Sequence, residues 1–285
     1  MDDRIVLAKA INFTEWREAV AMPVIVEGTQ KWNTDEFEQI LLRAVARSAG
    51  VCIDESREPG YPNGRVCMTF SGGLDSSFCL AVADELTRKT NTLLRAFTIG
   101  ESETHPDMWY ARLVSKDLHL ESCHNTYTPS PENIRLAEEE LYSLWKDEPR
   151  GSGNVAVYMI YEQMALRGVK YVIAHDGIDE LLGGYWEHRK HDFDPLGKAA
   201  AFQNLWNKLE PDHLSLLERK AKHFGIRVVF PYLQREVVEY IAKIPLNERT
   251  MRAESKIPLR NIAKKYLPAE IIARRKNGFC SALER

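Results

Sequence analysis

The sequence predicts an α/β protein, in which a parallel, twisted sheet carries helices on both faces and a helical C-terminal part follows. Short apolar, β-prone segments alternate with amphipathic segments of helical period between about residues 65 and 175. Glycines and polar residues follow three of the apolar segments, at Ser71, Gly100 and Asp176. From residue 194 onward, helical spacing predominates. A ligand crevice is therefore expected where these strands end.

The composition is that of an ordinary globular protein, with 285 residues, 44% hydrophobic and 28% charged. A formal net charge of −3 does not favour nucleic acid or an anionic membrane as a partner. The five cysteines form no CxxC pair, which fits a reducing cytoplasm. No apolar signal core or membrane span is visible. The expected location is cytoplasmic.

The first 64 residues are expected to form an N-terminal extension, and residues 65–285 the main domain. Short strands are expected over residues 5–11 and 23–27, with a helical turn over 14–21 between them. A linker helix begins near residue 34 and runs to about residue 48. Residues 49–64 contain two prolines and three glycines, which predicts a loop or short insertion.

The central stretch of the chain reads as strand, glycine turn and helix. Residues 66–70 are apolar, residues 71–77 spell SGGLDSS, and an amphipathic segment follows. Gly72 and Gly73 allow a tight turn whose N–H groups, with the helix N-terminus, attract an anion. The hydroxyls of Ser71, Ser76 and Ser77 add donors. Asp75 would be repelled by phosphate unless a cation intervenes, which suggests a magnesium ligand.

The remaining elements follow from periodicity. Strands are expected over 93–99, 119–127 and 170–175. Helices are expected over residues 106–118, 131–145, 153–167, 199–209, 213–224, 235–244, 256–266 and 269–275.

Three further segments carry candidate site residues. Asp176, Asp179 and Glu180 place three carboxylates within five residues, and these repel one another unless a cation holds them. Alone, this segment is an acidic loop with a glycine helix stop. If it ends a strand of the same sheet, Asp75 and Asp179 could chelate one magnesium bound to the phosphates of a ligand. Glu148 could act as a proton acceptor. Lys276 could offset phosphate charge.

Together these motifs resemble the synthetase domain of the asparagine synthetase family, which belongs to the PP-loop ATP pyrophosphatase superfamily and includes the β-lactam synthetases. The matching segments appear in the family's order, and they cover most of the chain from residue 34 to 279. They are SGGLDSS at 71–77, FTIG at 97–100, DEP at 147–149, DGIDELLGGY at 176–185, FPYLQ at 230–234, KIPLR at 256–260 and LPAEIIARRKNGF at 267–279.

The resemblance implies an ATP-dependent, AMP-forming ligase that adenylates a carboxylate and transfers ammonia or another amine to it. It implies that ATP and Mg²⁺ are the cofactors. The implied roles are phosphate binding by Ser71, Gly72, Gly73, Asp75, Ser76 and Ser77, further nucleotide contacts by Ile99, Gly100, Asp176 and Gly177, metal ligation by Asp75 and Asp179, and catalysis by Glu148, Lys276 and Lys256.

The chain departs from the family pattern in three places. His175 replaces a glycine, and Gln234 replaces an aspartate. The region before SGGLDSS is too short for a glutaminase domain, so glutamine-independent chemistry is expected, with free ammonia, another amine or a separate glutaminase subunit as the nitrogen source.

Two other functions stay open: a PP-loop enzyme that modifies tRNA or another nucleophile, and a non-catalytic ATP-binding subunit. The identity of the carboxylate is not readable from the sequence. The sequence leaves open whether the chain forms a homo-oligomer.

Overall fold

The computed structural model describes residues 13–26, 32–274 and 283. The chain divides into two compact units that each contain three chain segments. Unit 1 comprises Met1–Val51, Ile173–Ser215 and Val229–Tyr266, and unit 2 comprises Cys52–Val172, Leu216–Val228 and Leu267–Arg285.

The described residues form the following helices and strands. The strands are β1 Arg65–Thr69, β2 Leu93–Ile99, β3 His124–Tyr127, β4 Tyr171–Ile173 and β5 Arg227–Val229. The α-helices are α1 Glu15–Val20, α2 Thr34–Glu55, α3 Leu74–Thr90, α4 Pro106–Asp117, α5 Pro131–Leu144, α6 Ser152–Leu166, α7 Ile178–Leu182, α8 Trp186–Arg189, α9 Pro195–Leu209, α10 Ser215–His223, α11 Arg235–Ala242, α12 Leu246–Arg249, α13 Ile257–Ala263 and α14 Ala269–Ala273.

The five strands form one sheet in the order β3-β2-β1-β4-β5. β1 pairs in parallel with β2, placing Thr69 opposite Phe97, and β2 pairs in parallel with β3. Parallel neighbours require crossover connections, and helices α3 and α4 supply them between the first three strands. The predicted α/β class, with its parallel sheet and helical C-terminal part, is confirmed.

Local signals explain where several unit 2 helices begin and end. α4 begins with Pro106, and the His105 imidazole accepts the N–H of Asp107 at 3.2 Å. Ser130 caps α5 by accepting the N–H of Asn133 at 3.2 Å. α3 ends at Asn91, which adopts a left-handed conformation with φ 50°.

Two expectations for the N-terminal region need correction. Residues 23–26 form no strand, because the Val26 N–H donates to the Ala242 carbonyl at 2.9 Å and the Val24 carbonyl accepts from the Arg249 side chain at 2.8 Å. α2 continues to Glu55, well into the predicted loop at 49–64. Its later turns bury Cys52 and its neighbours, and this packing outweighs the helix penalty of glycine at position 50. The strand expected at 5–11 lies outside the described residues.

One predicted strand is shorter in the structure, and one observed strand was not predicted. β3 begins only at His124, because His119 takes a left-handed φ of 57° and a short 3₁₀ turn covers Glu121–Cys123. β5 was not predicted, since three residues are too few to show a period.

Each unit has its own buried apolar residues. In unit 2 these include Met68, Phe78, Leu80, Tyr158 and Tyr161. In unit 1 they include Phe37, Leu41, Phe202, Trp206 and Tyr232. Among the described residues, no helix combines the length and apolar character that crossing a bilayer requires.

Candidate functional site

The SGGLDSS loop, residues 71–77, connects β1 to α3 in unit 2. Gly72 has φ +66°, and a Cβ at this position would lie 2.2 Å from the backbone nitrogen of Ala111. Only glycine fits there, because any side chain would collide with the backbone of α4. Gly73 is the N-cap residue of the 17-residue helix α3. The loop therefore delivers the chain directly to a long helix N-terminus, where the macrodipole is positive.

Serine hydroxyls hold this loop together. Ser71 Oγ lies 3.3 Å from Ser76 Oγ and accepts the Gly73 N–H at 3.3 Å. Ser76 Oγ lies 3.3 Å from the Gly73 carbonyl, to which it can donate. The Ser77 hydroxyl is fully buried and has no hydrogen-bond partner among the described residues. A buried hydroxyl without a partner is costly unless a ligand satisfies it, so the loop fits an oxyanion.

Ile99 and Gly100 end the neighbouring strand. Ile99 is buried, and the Gly100 N–H donates to the Tyr127 carbonyl at 3.2 Å. A Cβ on Gly100 would lie 2.6 Å from Met108 Cγ. This packing leaves room for glycine alone, and it keeps the end of β2 close to the first turns of α4.

Glu148 lies in unit 2 between α5 and α6, and its side chain is completely buried. Oε2 lies 2.5 Å from an Arg219 nitrogen, and Oε1 accepts from Lys220 Nζ. Asn154 and Asp147 complete this polar cluster by contacting Lys220 and Arg219. Both oxygens of the predicted base are thus occupied by cations of α10. These two charged hydrogen bonds stabilise the ionised carboxylate, which makes Glu148 a weaker proton acceptor.

The acidic loop, residues 176–185 of unit 1, is shaped by its glycines. Gly177 has φ +94°, and a Cβ there would lie 2.3 Å from Leu233 Cδ2. On Gly184, a Cβ would lie 1.6 Å from Asp179 Oδ1 and 2.8 Å from Lys256 Cε. Glycine is therefore needed at 184 to leave space for an ion pair beneath it.

Each carboxylate of the acidic loop has a protein partner. Asp179 Oδ1 lies 2.7 Å from Lys256 Nζ, with the lysine side chain 5% exposed. Asp176 Oδ1 lies 2.5 Å from His213 Nε2. Glu180 Oε1 accepts from the Tyr185 hydroxyl at 2.9 Å. The cation that three adjacent carboxylates require is supplied here by Lys256, together with the His213 imidazole when it is protonated.

These contacts and the burial of the acidic loop shift the pKa values of Asp176, Tyr185 and His175. Burial would raise the pKa of Asp176, but the neighbouring His213 outweighs it and holds that pKa below its ordinary value. Burial, reinforced by the Glu180 carboxylate, raises the pKa of Tyr185 far above its usual range. Burial also lowers the pKa of His175 to about 4, so its imidazole is neutral at pH 7. His175 therefore adds a neutral hydrogen-bonding group beside Asp176, not a charge.

The described side chains fit a metal ion that is bound together with nucleotide phosphates better than a metal centre formed by protein ligands alone. No group of three metal-ligating side chains occurs within the described residues, so an all-protein metal centre does not fit. A magnesium ion that arrives with nucleotide phosphates needs only one or two carboxylates. Asp75, in the first turn of α3 next to the glycine turn, suits that mode.

Lys276 lies outside the described residues. In unit 2, the structure brings Ser71, Gly72, Gly73, Asp75, Ser76 and Ser77 together in one loop. Unit 1 holds Asp176, Gly177 and Asp179 in the acidic loop, with Lys256 against it.

Sequence reasoning missed two residues of the candidate site. His213 lies in a π-helical segment, Glu210–Leu214, and only Pro211 hints at an irregular turn there. Arg274 bonds the carbonyl of Ser71, whereas its basic neighbourhood in the sequence suggested helix capping or a role for Lys276. Both contacts join residues far apart in the chain, which local patterns do not reveal.

Comparison with known proteins places this arrangement in a family. The asparagine synthase family model matches residues 63–207 and 199–285. The chain belongs to the asparagine synthase family. The match to the family model includes the SGGLDSS loop, the acidic loop and the C-terminal segment. The predicted family membership is therefore confirmed.

Several curated relatives are similar over three quarters of the chain. The asparagine synthetase [glutamine-hydrolyzing] of Gallus gallus is 28% identical over 77% of this chain and 40% of its own length. Asparagine synthetase [glutamine-hydrolyzing] 1 of Saccharomyces cerevisiae is 27% identical over 73% of the chain and 43% of its own length. A putative asparagine synthetase [glutamine-hydrolyzing] 1 of Methanocaldococcus jannaschii is 25% identical over 75% of this chain and 45% of its own length. The chain thus spans less than half the length of these relatives.

Proposed function

We propose that this chain is an ATP-dependent ligase that forms amides. A substrate carboxylate attacks the α-phosphorus of ATP, a P–O bond to pyrophosphate breaks, and an acyl-adenylate forms. Ammonia or another amine then attacks the acyl carbon, AMP leaves with the C–O electron pair, and the nitrogen loses a proton. The observation that carries this proposal is the SGGLDSS loop, which couples a glycine turn, three hydroxyls and a long helix N-terminus.

The residue roles follow the chemistry of each group. The loop amides and the hydroxyls of Ser71, Ser76 and Ser77 bind phosphate oxygens. Asp75 and Asp179 are the proposed Mg²⁺ ligands, and the metal would neutralise phosphate charge when bound. The further proposed nucleotide contacts are Ile99, Gly100, Asp176 and Gly177, and the proposed catalytic cations are Lys256 and Lys276. Their task is positioning and charge stabilisation.

Two groups are candidates for the proton acceptor. Glu148 was proposed from the sequence, but its carboxylate is buried between Arg219 and Lys220. The Asp176–His213 pair is more accessible, since the His213 side chain is 50% exposed and the two atoms lie 2.5 Å apart. A carboxylate that orients an imidazole is a common general-base arrangement. The geometry therefore favours the Asp176–His213 pair, with Glu148 as the alternative.

The test measures AMP and pyrophosphate release by the purified chain with Mg²⁺, ATP and a panel of carboxylates that includes aspartate. Ammonium and glutamine serve as separate nitrogen donors, so the assay also asks whether glutamine is used. Ser76→Ala and Asp75→Asn are expected to lower the rate at least tenfold. Asp84→Asn is the matched control, because Asp84 lies on the same helix, beyond residues 71–77, and its carboxylate pairs with Arg88. The absence of AMP with every carboxylate would reject the proposal.

The two proton acceptors are separated by His213→Gln and Glu148→Gln. If the pair acts as base, His213→Gln lowers the rate of amide formation and leaves carboxylate-dependent ATP–pyrophosphate exchange intact. Glu148→Gln would instead disturb the ion cluster with Arg219 and Lys220, so its effect should follow protein stability. A selective loss of amide formation in a stable Glu148→Gln variant would reverse the assignment.

Sulfur transfer by a cysteine is disfavoured for the buried thiols among the described residues. Cys52, Cys67 and Cys79 are all buried. Burial raises the pKa of Cys67 to about 12, and burial also raises that of Cys52. Thiols that stay protonated at pH 7 are poor nucleophiles.

A further inference from the structure

Arg274 follows helix α14 directly, and its side chain contacts Ser71, Asp107 and Tyr110 in unit 2. One guanidinium nitrogen donates to the Ser71 carbonyl at 2.8 Å, and another donates to Asp107 Oδ1. The guanidinium carbon lies 4.2 Å from the centre of the Tyr110 ring. The Arg274 side chain is 6% exposed and that of Asp107 is 3% exposed. A planar guanidinium is suited to bonding two acceptors while it stacks on a ring.

The partners of Arg274 belong to the helix that supports the SGGLDSS loop. Asp107 and Tyr110 lie in the first turns of α4, and the backbone of that helix leaves no space for a side chain on Gly72. Burial raises the pKa of Asp107, and the Arg274 guanidinium offsets part of that rise. Arg274 thus joins the loop and its supporting helix through one buried side chain.

The bond to Ser71 has a consequence for the next peptide group. In a trans peptide, the carbonyl of one residue and the N–H of the next point in opposite directions. Holding the Ser71 carbonyl toward Arg274 therefore directs the Gly72 N–H to the other side of the peptide plane. Glycine at 72 would otherwise allow this plane to rotate, since glycine tolerates many backbone conformations. Anion binding by backbone N–H groups depends on their shared direction.

We propose that Arg274 is a positioning residue for the phosphate-binding loop, which it orders before nucleotide arrives. Its link to ATP rests on the proposed function, whereas its effect on loop order does not. The C-terminal segment then contributes two different basic groups: Arg274 acts on the loop backbone, and Lys276 is proposed to act on phosphate charge.

Arg65 provides a matched control in the same unit. It is 6% exposed, pairs with Glu58, donates to the Gly168 carbonyl and stacks on Tyr61 at 4.4 Å. It begins β1, whereas Ser71 follows the other end of that strand. Arg65→Lys therefore removes a buried, stacked guanidinium of the same kind without touching the loop.

The experiment compares Arg274→Lys with Arg65→Lys in the full chain. Hydrogen exchange without nucleotide is measured for the amides of residues 71–77, and ATP affinity is measured by calorimetry. Arg274→Lys is expected to accelerate loop exchange at least tenfold and to weaken ATP binding roughly ten- to hundredfold, the range expected for a lost charged hydrogen bond. Arg65→Lys is expected to lower the melting temperature without either effect. Asp107→Asn, which keeps an acceptor for Arg274, gives a milder second variant if Arg274→Lys does not fold.

Millimolar guanidinium added to Arg274→Ala should occupy the vacated site and restore part of the ATP affinity. Equal loop exchange in the Arg274 and Arg65 variants, after correction for global stability, would overturn the proposal. If the wild-type chain bound no ATP at all, the proposed function would fail, but the exchange comparison would still decide the role of Arg274.

Discussion

The ammonium of Lys256 lies 2.7 Å from Asp179 Oδ1, and both side chains are largely enclosed. Lys256 takes a left-handed φ of 54° as it caps helix α13. A non-glycine residue in this region carries strain, and such strain is concentrated at functional sites. The residue that starts helix α13 is thus the same residue that offsets the charge of Asp179.

Replacing Lys256 with Met is expected to lower the free energy of unfolding by about 3–5 kcal/mol, because Asp179 would stay buried beside Asp176 without its cation. Urea unfolding followed by circular dichroism measures the loss. Lys264→Met, at an exposed lysine of the same region, is the control and should change stability by less than about 1 kcal/mol. Equal losses in the two variants would show that the ion pair carries no special weight.

Gly184→Ala is expected to disrupt the same pair by a steric route. The new methyl group would lie 1.6 Å from Asp179 Oδ1, so the carboxylate must leave its position. A loss of at least about 2 kcal/mol in unfolding free energy is expected, with a fall in ligase activity. Gly60→Ala is the control, since nothing lies within 4 Å of a Cβ there. A Gly184→Ala protein as stable and active as Gly60→Ala would contradict the described packing.

Arg249→Met is expected to destabilise the protein by about 3 kcal/mol or more. The fully buried guanidinium donates to four backbone carbonyls, those of Val24, Leu181, Ala242 and Ile244. Burial lowers its pKa to about 9, so it is still charged at pH 7. Its removal leaves several buried acceptors without donors.

The midpoint of urea unfolding tests the Arg249 prediction. Arg252→Met, at an exposed arginine that lies over the Trp186 ring, is the control with an expected loss below about 1 kcal/mol. A similar midpoint for both variants would count against the role assigned to Arg249.

The folding stability of the protein should depend on pH through the protonation of His124. Burial lowers the pKa of His124 to about 4, and its Nε2 lies 2.8 Å from Thr98 Oγ1. Between pH 6.5 and 4 the unfolded chain binds a proton that the folded chain does not. Stability therefore falls as pH decreases through this window, by up to about 3 kcal/mol for this group.

His124→Gln should reduce the slope in that part of the curve by the share of this one group. His175, whose pKa burial also lowers to about 4, still contributes there. Denaturation midpoints at half-unit pH intervals, for wild type and variant, provide the measurement. His119→Gln, at an exposed histidine of unit 2, is the control for the substitution itself. Parallel curves for wild type and His124→Gln would refute the prediction.

The sequence predictions were accurate where local residues determine the structure, and they were inaccurate where contacts between distant parts of the chain determine it. The segment Leu93–Ile99 was predicted as a strand to the residue, because its apolar composition decides its state locally. The SGGLDSS turn was equally readable, since the positive φ of Gly72 and the close backbone of α4 require glycine there. β5, with three residues, and the helical continuation to Glu55 depended on packing that no local pattern encodes.

The candidate site was predicted as a set of residues but not as a set of contacts. Asp179 was found from its motif, yet its partner Lys256 was assigned to catalysis and not to an ion pair with Asp179. Glu148 was proposed as a base, whereas the structure shows its carboxylate bonded to Arg219 and Lys220. Which buried charges neutralise one another depends on tertiary packing, and spacing along a chain does not report it.

The composition of unit 1 from three distant segments has a consequence for synthesis on the ribosome. The stretch that ends at Val51 must await Ile173 and the residues beyond before it can bury its apolar face. At roughly 5–20 residues per second, this interval lasts on the order of 10 s. A nascent amphipathic α2 helix would be exposed throughout, so this early stretch is the natural target for a chaperone during translation.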